Sequence, residues 1–149
     1  MTANSSPFAQ LVRQARERQQ PDLVTQAIPY ARLLGIKAHQ GVNGLCFLLP
    51  ASPGNVGNPT LPALHGGAIG GFMETAAALH LLMTMDTLKA PKIVDFSIDY
   101  VRAGKLRDTW VSCEVVRQGR RLVNIGINAW QTEPAESIAR ARAHFLLGD

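Results

Sequence analysis

The residues that could carry chemistry are concentrated in one stretch, residues 64–85. It contains a His-Gly-Gly run that starts at His65 and one carboxylate, Glu74, which is the only Asp, Glu, Lys or Arg between Lys37 and Asp86. Burying an ionised carboxylate is costly unless another group pairs with it. An isolated acid in an apolar segment is therefore a candidate functional residue. The alternative is a structural Glu that pairs with a basic side chain.

This stretch is predicted to be a helix, because it is too long for a buried strand and Ala, Leu and Met dominate its second half. It is apolar nearly all round, which favours a helix covered on most sides. Its length would also suit a membrane span. However, a central Glu, four glycines and two histidines are expensive in lipid, so we reject that alternative.

The glycines of this helix indicate a close approach by another group. Gly is unfavourable in helix interiors, so its repeated use predicts that a second backbone or a ligand comes near the first turns. Tight packing on a sheet would explain the glycines equally well. They are Gly66, Gly67, Gly70 and Gly71.

Length and composition predict one folded domain of ordinary composition, with 149 residues, 46% hydrophobic and 17% charged. The net charge of +4 would suit an anionic partner, but the basic residues are dispersed without interleaved aromatics, which disfavours nucleic acid. Cys46 and Cys113 lie far apart and are predicted to be buried thiols of a reducing compartment. With no apolar leader visible, we expect a cytoplasmic protein with no metal and no cofactor.

The elements before the helix are predicted from caps, breakers and periodicity. Ser6-Pro7 should begin a first helix that runs to about Gln20, where Pro21 ends it. Short helical turns, two hairpin strands and a loop rich in Pro and Gly should follow. Their ranges are 22–34, 36–39, 44–49 and 50–62.

After the helix, apolar residues alternate with polar ones, as in half-buried strands. The predicted strands are 94–100, 109–117, 121–131 and 137–147, and the first points Val94, Phe96, Ile98 and Tyr100 inward. We predict that they form a four-stranded meander in chain order. The dry face of such a sheet needs a cover, which the apolar helix supplies, so the fold class is α+β.

The order Leu64-His65-Gly66-Gly67, then Glu74 nine residues after the histidine, then four strands, resembles the hotdog-fold acyl-CoA thioesterases. The phenylacetate-degradation and 4-hydroxybenzoyl-CoA types are the most similar. The resemblance implies an antiparallel sheet wrapped around a long central helix. Because it covers roughly residues 30–147, we divide the chain into an N-terminal helical extension (1–29) and a hotdog thioesterase domain (30–149).

The resemblance also implies roles for two residues of the helix. Glu74 would attack the thioester carbonyl or activate water to attack it, and the Gly66 N–H would polarise the carbonyl oxygen. Free N–H groups and the macrodipole at a helix N-terminus favour a developing oxyanion in any case. Eight residues of helix separate Gly66 from Glu74 by about 12 Å. Both cannot contact one carbonyl, so if both act they come from two copies. This requires at least a homodimer and leaves a dimer of dimers open.

Three further positions each allow more than one interpretation. His65 is either a structural residue that holds the helix start by hydrogen bonds or a direct catalyst. Relatives use an Asn or Gln before the histidine to orient the acid or water, which implies Asn58 here, although Asn55 competes and turn chemistry explains either. Relatives also carry Thr or Ser four residues after the acid, where this chain has Ala78, with Thr75 nearby.

Substrate-binding candidates follow from the chemistry of coenzyme A, whose phosphates need Lys or Arg. Each candidate cation is also explained as a solvated hairpin charge, and the pair beside Gly119 is preferred. The cations are Arg102 and Lys105 in one turn, and Arg120 and Arg121 in another. Gly67 at the helix start is a further substrate-binding candidate. The apolar Phe72 and Met73 are candidates for contact with the acyl group, and the alternative for both is an ordinary place in the core.

The predicted function is hydrolysis of a small or medium acyl-CoA, aromatic acyl groups included. A non-catalytic module that binds acyl-CoA or lipid on the same fold is the alternative, because the hydroxyl at position 78 is missing. A hotdog dehydratase or hydratase is disfavoured, because no Asp/His pair of that type is apparent. We expect no nucleic-acid or membrane partner.

Overall fold

One long helix lies against one face of an antiparallel sheet. The protein is represented by a computed structural model, which describes residues 6–86 and 88–148. The helices are α1 (Pro7–Arg18), α2 (Asp22–Thr25), α3 (Pro29–Leu34) and α4 (Gly66–Thr84). The strands are β1 (Lys37–Gly41), β2 (Gly44–Leu49), β3 (Val56–Asn58), β4 (Ala63–Leu64), β5 (Lys92–Tyr100), β6 (Thr109–Gln118), β7 (Leu122–Trp130) and β8 (Ser137–Leu146). This is the predicted α+β hotdog arrangement, which is confirmed.

Helix α4 forms the centre of the hydrophobic core. Its 19 residues include Phe72, Met73, Leu79 and Leu82, all of which are buried. Burying each large apolar side chain contributes roughly 1.5–3 kcal/mol. They pack against inward residues of the sheet, among them Phe145. Among the described residues, no helix is both long and apolar enough to cross a membrane.

The main sheet has six strands in the order β1-β2-β6-β7-β8-β5. The β1–β2 hairpin and the β6-β7-β8 meander are as predicted. The prediction that β5 pairs with β6 was wrong, because β5 pairs with β8 instead. Strand β2 already occupies the edge of β6, where Phe47 is opposite Val111. The free edge of β8 is therefore the one left for β5.

A β-bulge in β5 changes which residues face the helix. The register shifts between Ile93 and Asp95, and Ile93 takes the place opposite Phe145. Val94, predicted to face inward, is 53% exposed. An extra residue in a bulge reverses the alternation of faces, so Ile93 faces the core in its place. Beyond the bulge, Phe96 and Ile98 point toward α4 as predicted, since both lie close to Gly70.

The loop predicted for residues 50–62 contains order of its own. Residues Pro53–Asn55 form a 3-10 turn, and β3 then pairs with β4 immediately before α4. The N-terminal helices cover another part of the domain. Val12, Ala15, Val24 and Ala31 belong to the same hydrophobic core as α4. Helices α1–α3 therefore share the core of the domain predicted for residues 30–149.

Candidate active site

His65 caps the start of α4. Its backbone is extended and its Nδ1 accepts the Gly67 N–H at 2.8 Å. Its carbonyl accepts the N–H groups of Ala68 and Ile69 at 3.0 and 3.2 Å. Because Nδ1 is an acceptor, the proton of the neutral ring is on Nε2. Within the described residues, nothing accepts the Gly66 N–H, which leaves it free for a ligand oxygen at the positive end of the helix.

The loop before α4 fixes the position of His65. The His65 N–H donates to the Asn55 carbonyl at 2.8 Å, and the Leu64 N–H donates to the Gly104 carbonyl at 2.8 Å. Gly57 of β3 lies so close that a Cβ there would be 2.7 Å from the His65 Cα. The helix start is therefore held by backbone contacts from two separate loops.

Tyr100, at the end of β5, holds the first turn from the other side. Its hydroxyl donates to the Gly66 carbonyl at 2.7 Å. A Cβ on Gly66 would lie 3.1 Å from both Cζ and Oη of Tyr100. The peptide that joins Gly66 to Gly67 is thus bonded at its carbonyl by Tyr100 and at its N–H by His65. Tyr100 had no predicted role at the site, although an aromatic residue in the inward phase of β5 is a suitable partner for the helix glycines.

A second tyrosine covers another glycine of the helix. A Cβ on Gly71 would be 2.5 Å from the Tyr30 hydroxyl oxygen. Within the described chain, the approach predicted by the glycines is therefore made by side chains, those of Tyr30, Tyr100 and His65. Among the described residues, the atoms nearest to a Cβ at each of these four glycines belong to side chains.

Glu74 lies on a face of α4 that the core covers only in part. At 100° per residue, Gly67, Gly71, Glu74 and Ala78 share this face. All four are exposed or half-buried. In the described part of the chain, the Glu74 carboxylate has no hydrogen bond and no ion pair. The alternative of a structural Glu therefore finds no basic partner there.

The predicted orienting residues make local contacts. The Asn58 Oδ1 accepts both the N–H and the hydroxyl of Thr60, which is an Asx turn in an exposed loop. Asn55 uses its carbonyl to hold His65. The Thr75 hydroxyl donates to the Gly71 carbonyl at 2.7 Å, and Ala78 has no hydroxyl. No described side chain of this group is bonded to Glu74.

The two pairs of candidate cations lie at opposite ends of the sheet. Lys105 forms a bridge with Ala63, so Arg102 and Lys105 are at the end where α4 begins. The turn with Arg120 and Arg121 is at the other end, where the Arg121 carbonyl accepts the Leu147 N–H. All four side chains are exposed. One chain therefore brings only the first pair near Gly66.

The remaining candidates have other environments. Phe72 and Met73 are fully buried, because they point from α4 into the core and away from the face of Glu74. Gly67 is exposed, with its N–H bonded to His65. His80 is half-buried, its Nδ1 has no partner among the described residues, and burial lowers its pKa. Within those residues, no cluster of three or more His, Cys, Asp or Glu side chains could hold a metal ion.

The cysteines, predicted to be buried, are both half-buried and unpaired. Desolvation raises the pKa of the Cys46 and Cys113 thiols. A raised pKa keeps a thiol protonated and weakens it as a nucleophile. Neither cysteine is therefore a candidate nucleophile, which leaves the Glu74 face and the start of α4 as the candidate site.

Comparisons with known proteins show the family of the chain. A sequence model described as the thioesterase superfamily matches residues 61–138, more than half of the chain. A Chromobacterium violaceum protein of known crystal structure shares 42% identity, with 94% of this chain and 98% of that chain covered and a TM-score of 0.77. No curated protein matches.

Two more distant structures share the fold. A Bacillus halodurans protein crystallised with CoA has 19% identity, coverage of 97% of this chain and 96% of that chain, and a TM-score of 0.72. A phenylacetic acid degradation-related protein from Ralstonia eutropha JMP134 has 16% identity, coverage of 85% and 98%, and a TM-score of 0.71.

Proposed function

Because the chain belongs to the thioesterase superfamily, we propose that it hydrolyses the thioester of a small or medium acyl-CoA, aromatic acyl groups included. This proposal rests on two groups of α4 that have no hydrogen-bond partner among the described residues. The Gly66 N–H has no acceptor and the Glu74 carboxylate has no partner among the described residues.

In the proposed reaction, the thioester carbonyl oxygen accepts the Gly66 N–H. Glu74 takes a proton from a water molecule whose oxygen bonds to the carbonyl carbon, or its carboxylate attacks that carbon directly. When water attacks, the C–S bond then breaks, the CoA sulfur takes up the proton held by Glu74, and the acyl group is released as a carboxylic acid. When Glu74 attacks, C–S cleavage leaves a mixed anhydride between the acyl group and Glu74. A water molecule then hydrolyses this anhydride, which releases the carboxylic acid, restores Glu74 and supplies the proton for the CoA sulfur. A donor aimed at the developing oxyanion contributes about 2.7–4 kcal/mol in a well-studied hydrolase.

The site needs two copies of the chain. Gly66 and Glu74 are on one continuous helix, about 12 Å apart along its axis. We therefore propose a homodimer in which Glu74 of one copy faces Gly66 of the other. The outer edge of β5 has no strand partner among the described residues and exposes Val94 and Tyr100. Such an edge readily pairs with another chain.

For coenzyme A we propose Arg102 and Lys105 as phosphate ligands, since they lie at the end of the sheet where α4 begins. Arg120 and Arg121 could reach the same substrate only from another copy. A structural neighbour contains CoA, and hydrolysis by this route needs no cofactor beyond the CoA of the substrate. The unpaired thiols suit a reducing, cytoplasmic location.

One observation favours the alternative, a module that binds acyl-CoA without hydrolysing it. Position 78 lacks a hydroxyl, and the nearby Thr75 hydroxyl is already bonded to the Gly71 carbonyl. Water would then be poorly held beside Glu74.

Thiol release from a panel of acyl-CoAs tests the proposal. Glu74→Gln keeps the shape of the side chain and removes the base, and should lower kcat roughly a hundredfold or more. Glu17→Gln, on the exposed face of α1, is the matched control and should leave the rate unchanged. Tight binding of acyl-CoA with no thiol release by the wild-type protein would replace hydrolysis with the binding module.

A further inference from the structure

The segment between β5 and β6, residues 101–108, presents several cations from a backbone that is held in place. We call it the cation loop. Apart from the bridge at Lys105 it has no regular secondary structure. The Ile138 carbonyl accepts the N–H groups of Val101 and Arg102 at 2.8 and 3.2 Å. The cations of the loop are Arg102, Lys105 and Arg107, all exposed and all without an ion pair among the described residues.

Gln131, directly after β7, holds the centre of the cation loop with its side-chain amide. Its Oε1 accepts the Lys105 N–H at 3.1 Å, and its Nε2 donates to the Lys105 carbonyl at 2.8 Å. The same Nε2 donates to the hydroxyl of the buried Thr109 at 3.1 Å. That hydroxyl donates in turn to the Arg107 carbonyl at 3.3 Å. Because Nε2 carries two hydrogens, both donors of the Gln131 amide are used to hold this loop.

These contacts fix two of the cations together. The Lys105 carbonyl also accepts the Arg107 N–H at 2.8 Å, so the backbone of both residues depends on Gln131. The one acid of the loop, Asp108, is directed elsewhere, since its Oδ1 accepts the Ala51 N–H at 2.8 Å. Cations in a fixed loop without carboxylate partners suit a ligand with several phosphate groups.

The cation loop adjoins the start of α4. Lys105 forms its bridge with Ala63, and the Gly104 carbonyl accepts the Leu64 N–H at 2.8 Å. Ala63 is three residues from Gly66, a length of chain that spans at most about 11 Å. CoA carries its phosphates at the far end of an extended pantetheine arm. One acyl-CoA molecule can therefore place its thioester at the Gly66 N–H and its phosphates at this loop.

We propose that Gln131 is a positioning residue for coenzyme A, which holds Lys105 and Arg107 where they contact the phosphates. The proposal rests on the acyl-CoA substrate proposed above, and it applies equally to a hydrolase and to a module that only binds. Gln131 acts through the loop and does not touch the reacting atoms. Its loss should therefore weaken binding of the phosphates and leave the chemistry at Gly66 and Glu74 unchanged.

A purely structural role for Gln131 predicts a different result. Because Gly104 holds Leu64 directly before His65, a general loosening of the loop would also disturb the helix start. The value of kcat would then fall for every thioester, with or without phosphates. The two roles are separated by comparing an acyl-CoA with the same acyl group on pantetheine, the thiol end of CoA that lacks all the phosphates.

Thiol release from these two thioesters tests the proposal. Gln131→Met keeps the length of the side chain and removes its hydrogen bonds, so KM for the acyl-CoA should rise roughly three- to tenfold with kcat unchanged. Neither constant should change for the pantetheine thioester. Lys105→Ala should give the same pattern with an increase of roughly tenfold or more, because bonds to charged groups are stronger. Gln40→Met, at an exposed position of β1, is the matched control and should behave as wild type.

A second variant and a binding measurement cover failure to fold and absence of hydrolysis. Gln131→Asn keeps the amide but withdraws it by one methylene, so it should also raise KM for the acyl-CoA alone. In titration calorimetry with CoA, Gln131→Met should weaken binding by the same factor as the rise in KM. An unchanged KM, or an equal loss with both thioesters, would overturn the positioning role while the proposed hydrolysis stands. No thiol release, together with CoA binding that depends on Gln131, would instead refute hydrolysis and support the positioning role.

Discussion

The contact between Gly57 and His65 allows a sharp test of how the candidate active site is positioned. In Gly57→Ala, the new Cβ would lie 2.7 Å from the His65 Cα and 3.0 Å from its Cβ. The first of these atoms belongs to the backbone, so no rotation of a side chain relieves the clash. The backbone of Gly57 is not left-handed, so alanine is conformationally acceptable and the effect is purely one of space.

The size of the effect follows from the energetics of overpacking. Inserting a methyl group where there is no room costs about 1–3 kcal/mol, whereas replacing a flexible glycine with alanine gains about 0.4–1 kcal/mol. The cost of the clash should exceed the gain from alanine, so the variant should have a lower free energy of unfolding. For a domain of this size, each kcal/mol corresponds to about 2–4 °C in Tm. If β3 shifts instead, His65 and the Gly66 N–H move with it, and a displacement of about 1 Å can cost a hundredfold in rate.

Thermal unfolding and thiol release measure these two effects together. If the clash stays in place, Gly57→Ala should lower Tm by several degrees. If β3 moves to relieve it, kcat should fall by at least tenfold. A partial movement should lower both. Gly54→Ala in the same loop is the matched control, because its Cβ would meet only Ser52 Oγ at 3.6 Å. It should be neutral or slightly stabilising. Equal behaviour of the two variants would refute the claim that Gly57 sets the position of the helix start.

Two further predictions concern Tyr100 and His80. Tyr100→Phe removes the hydroxyl that donates to the Gly66 carbonyl, and because a hydrogen bond contributes about 0.5–1.5 kcal/mol, kcat should fall roughly two- to tenfold with KM little changed. Tyr30→Phe is the control, since the Tyr30 hydroxyl has no hydrogen bond within the described chain, and its kcat should stay near wild type. An equal loss in both variants would contradict the role of Tyr100. Burial lowers the pKa of His80 below its ordinary 6.5, so the unfolded chain binds a proton more readily than the folded one. The free energy of unfolding that depends on neutral His80 should therefore be fully present above pH 6.5 and should decrease as the pH falls below 6.5. His80→Gln should reduce this acid loss in urea titrations at several pH values, and an unchanged pH dependence would assign it to other groups.

The long helix and the long strands of the fold were predictable because each has a local signal. The apolar length of α4 and the alternation in β6, β7 and β8 identify these elements without tertiary information. The position of β5 was not predictable, since pairing depends on which sheet edge is free. The bulge at Ile93–Asp95 was also not predictable, because a bulge is defined by the residues opposite it, which here belong to β8.

At the site, the sequence predicts Glu74 from its isolation and Gly66 from the family resemblance, and both roles stay predictions. It did not identify the supports of the helix start, Gly57 and Tyr100, because these are 9 and 34 residues from Gly66 and meet it only in the folded chain. The same limit applied to the cations. Periodicity placed both pairs in turns, but only the sheet topology shows which turn is near α4.

The central claim, that each site takes Glu74 from one copy and the Gly66 N–H from another, is tested most directly by mixing two inactive variants. One is Glu74→Gln. The other is Gly66→Pro, which removes the N–H at a helix position that proline favours. Gly66→Ala is its steric control, because it keeps the N–H.

A hybrid dimer of the two variants contains one site with both defects and one site with none. After unfolding and refolding of an equal mixture, about a quarter of the wild-type rate of thiol release should therefore return, as expected for random pairing in a two-fold dimer. Each variant refolded alone should stay inactive. No recovery in a mixture shown by mass spectrometry to contain hybrids would contradict a site shared between two copies.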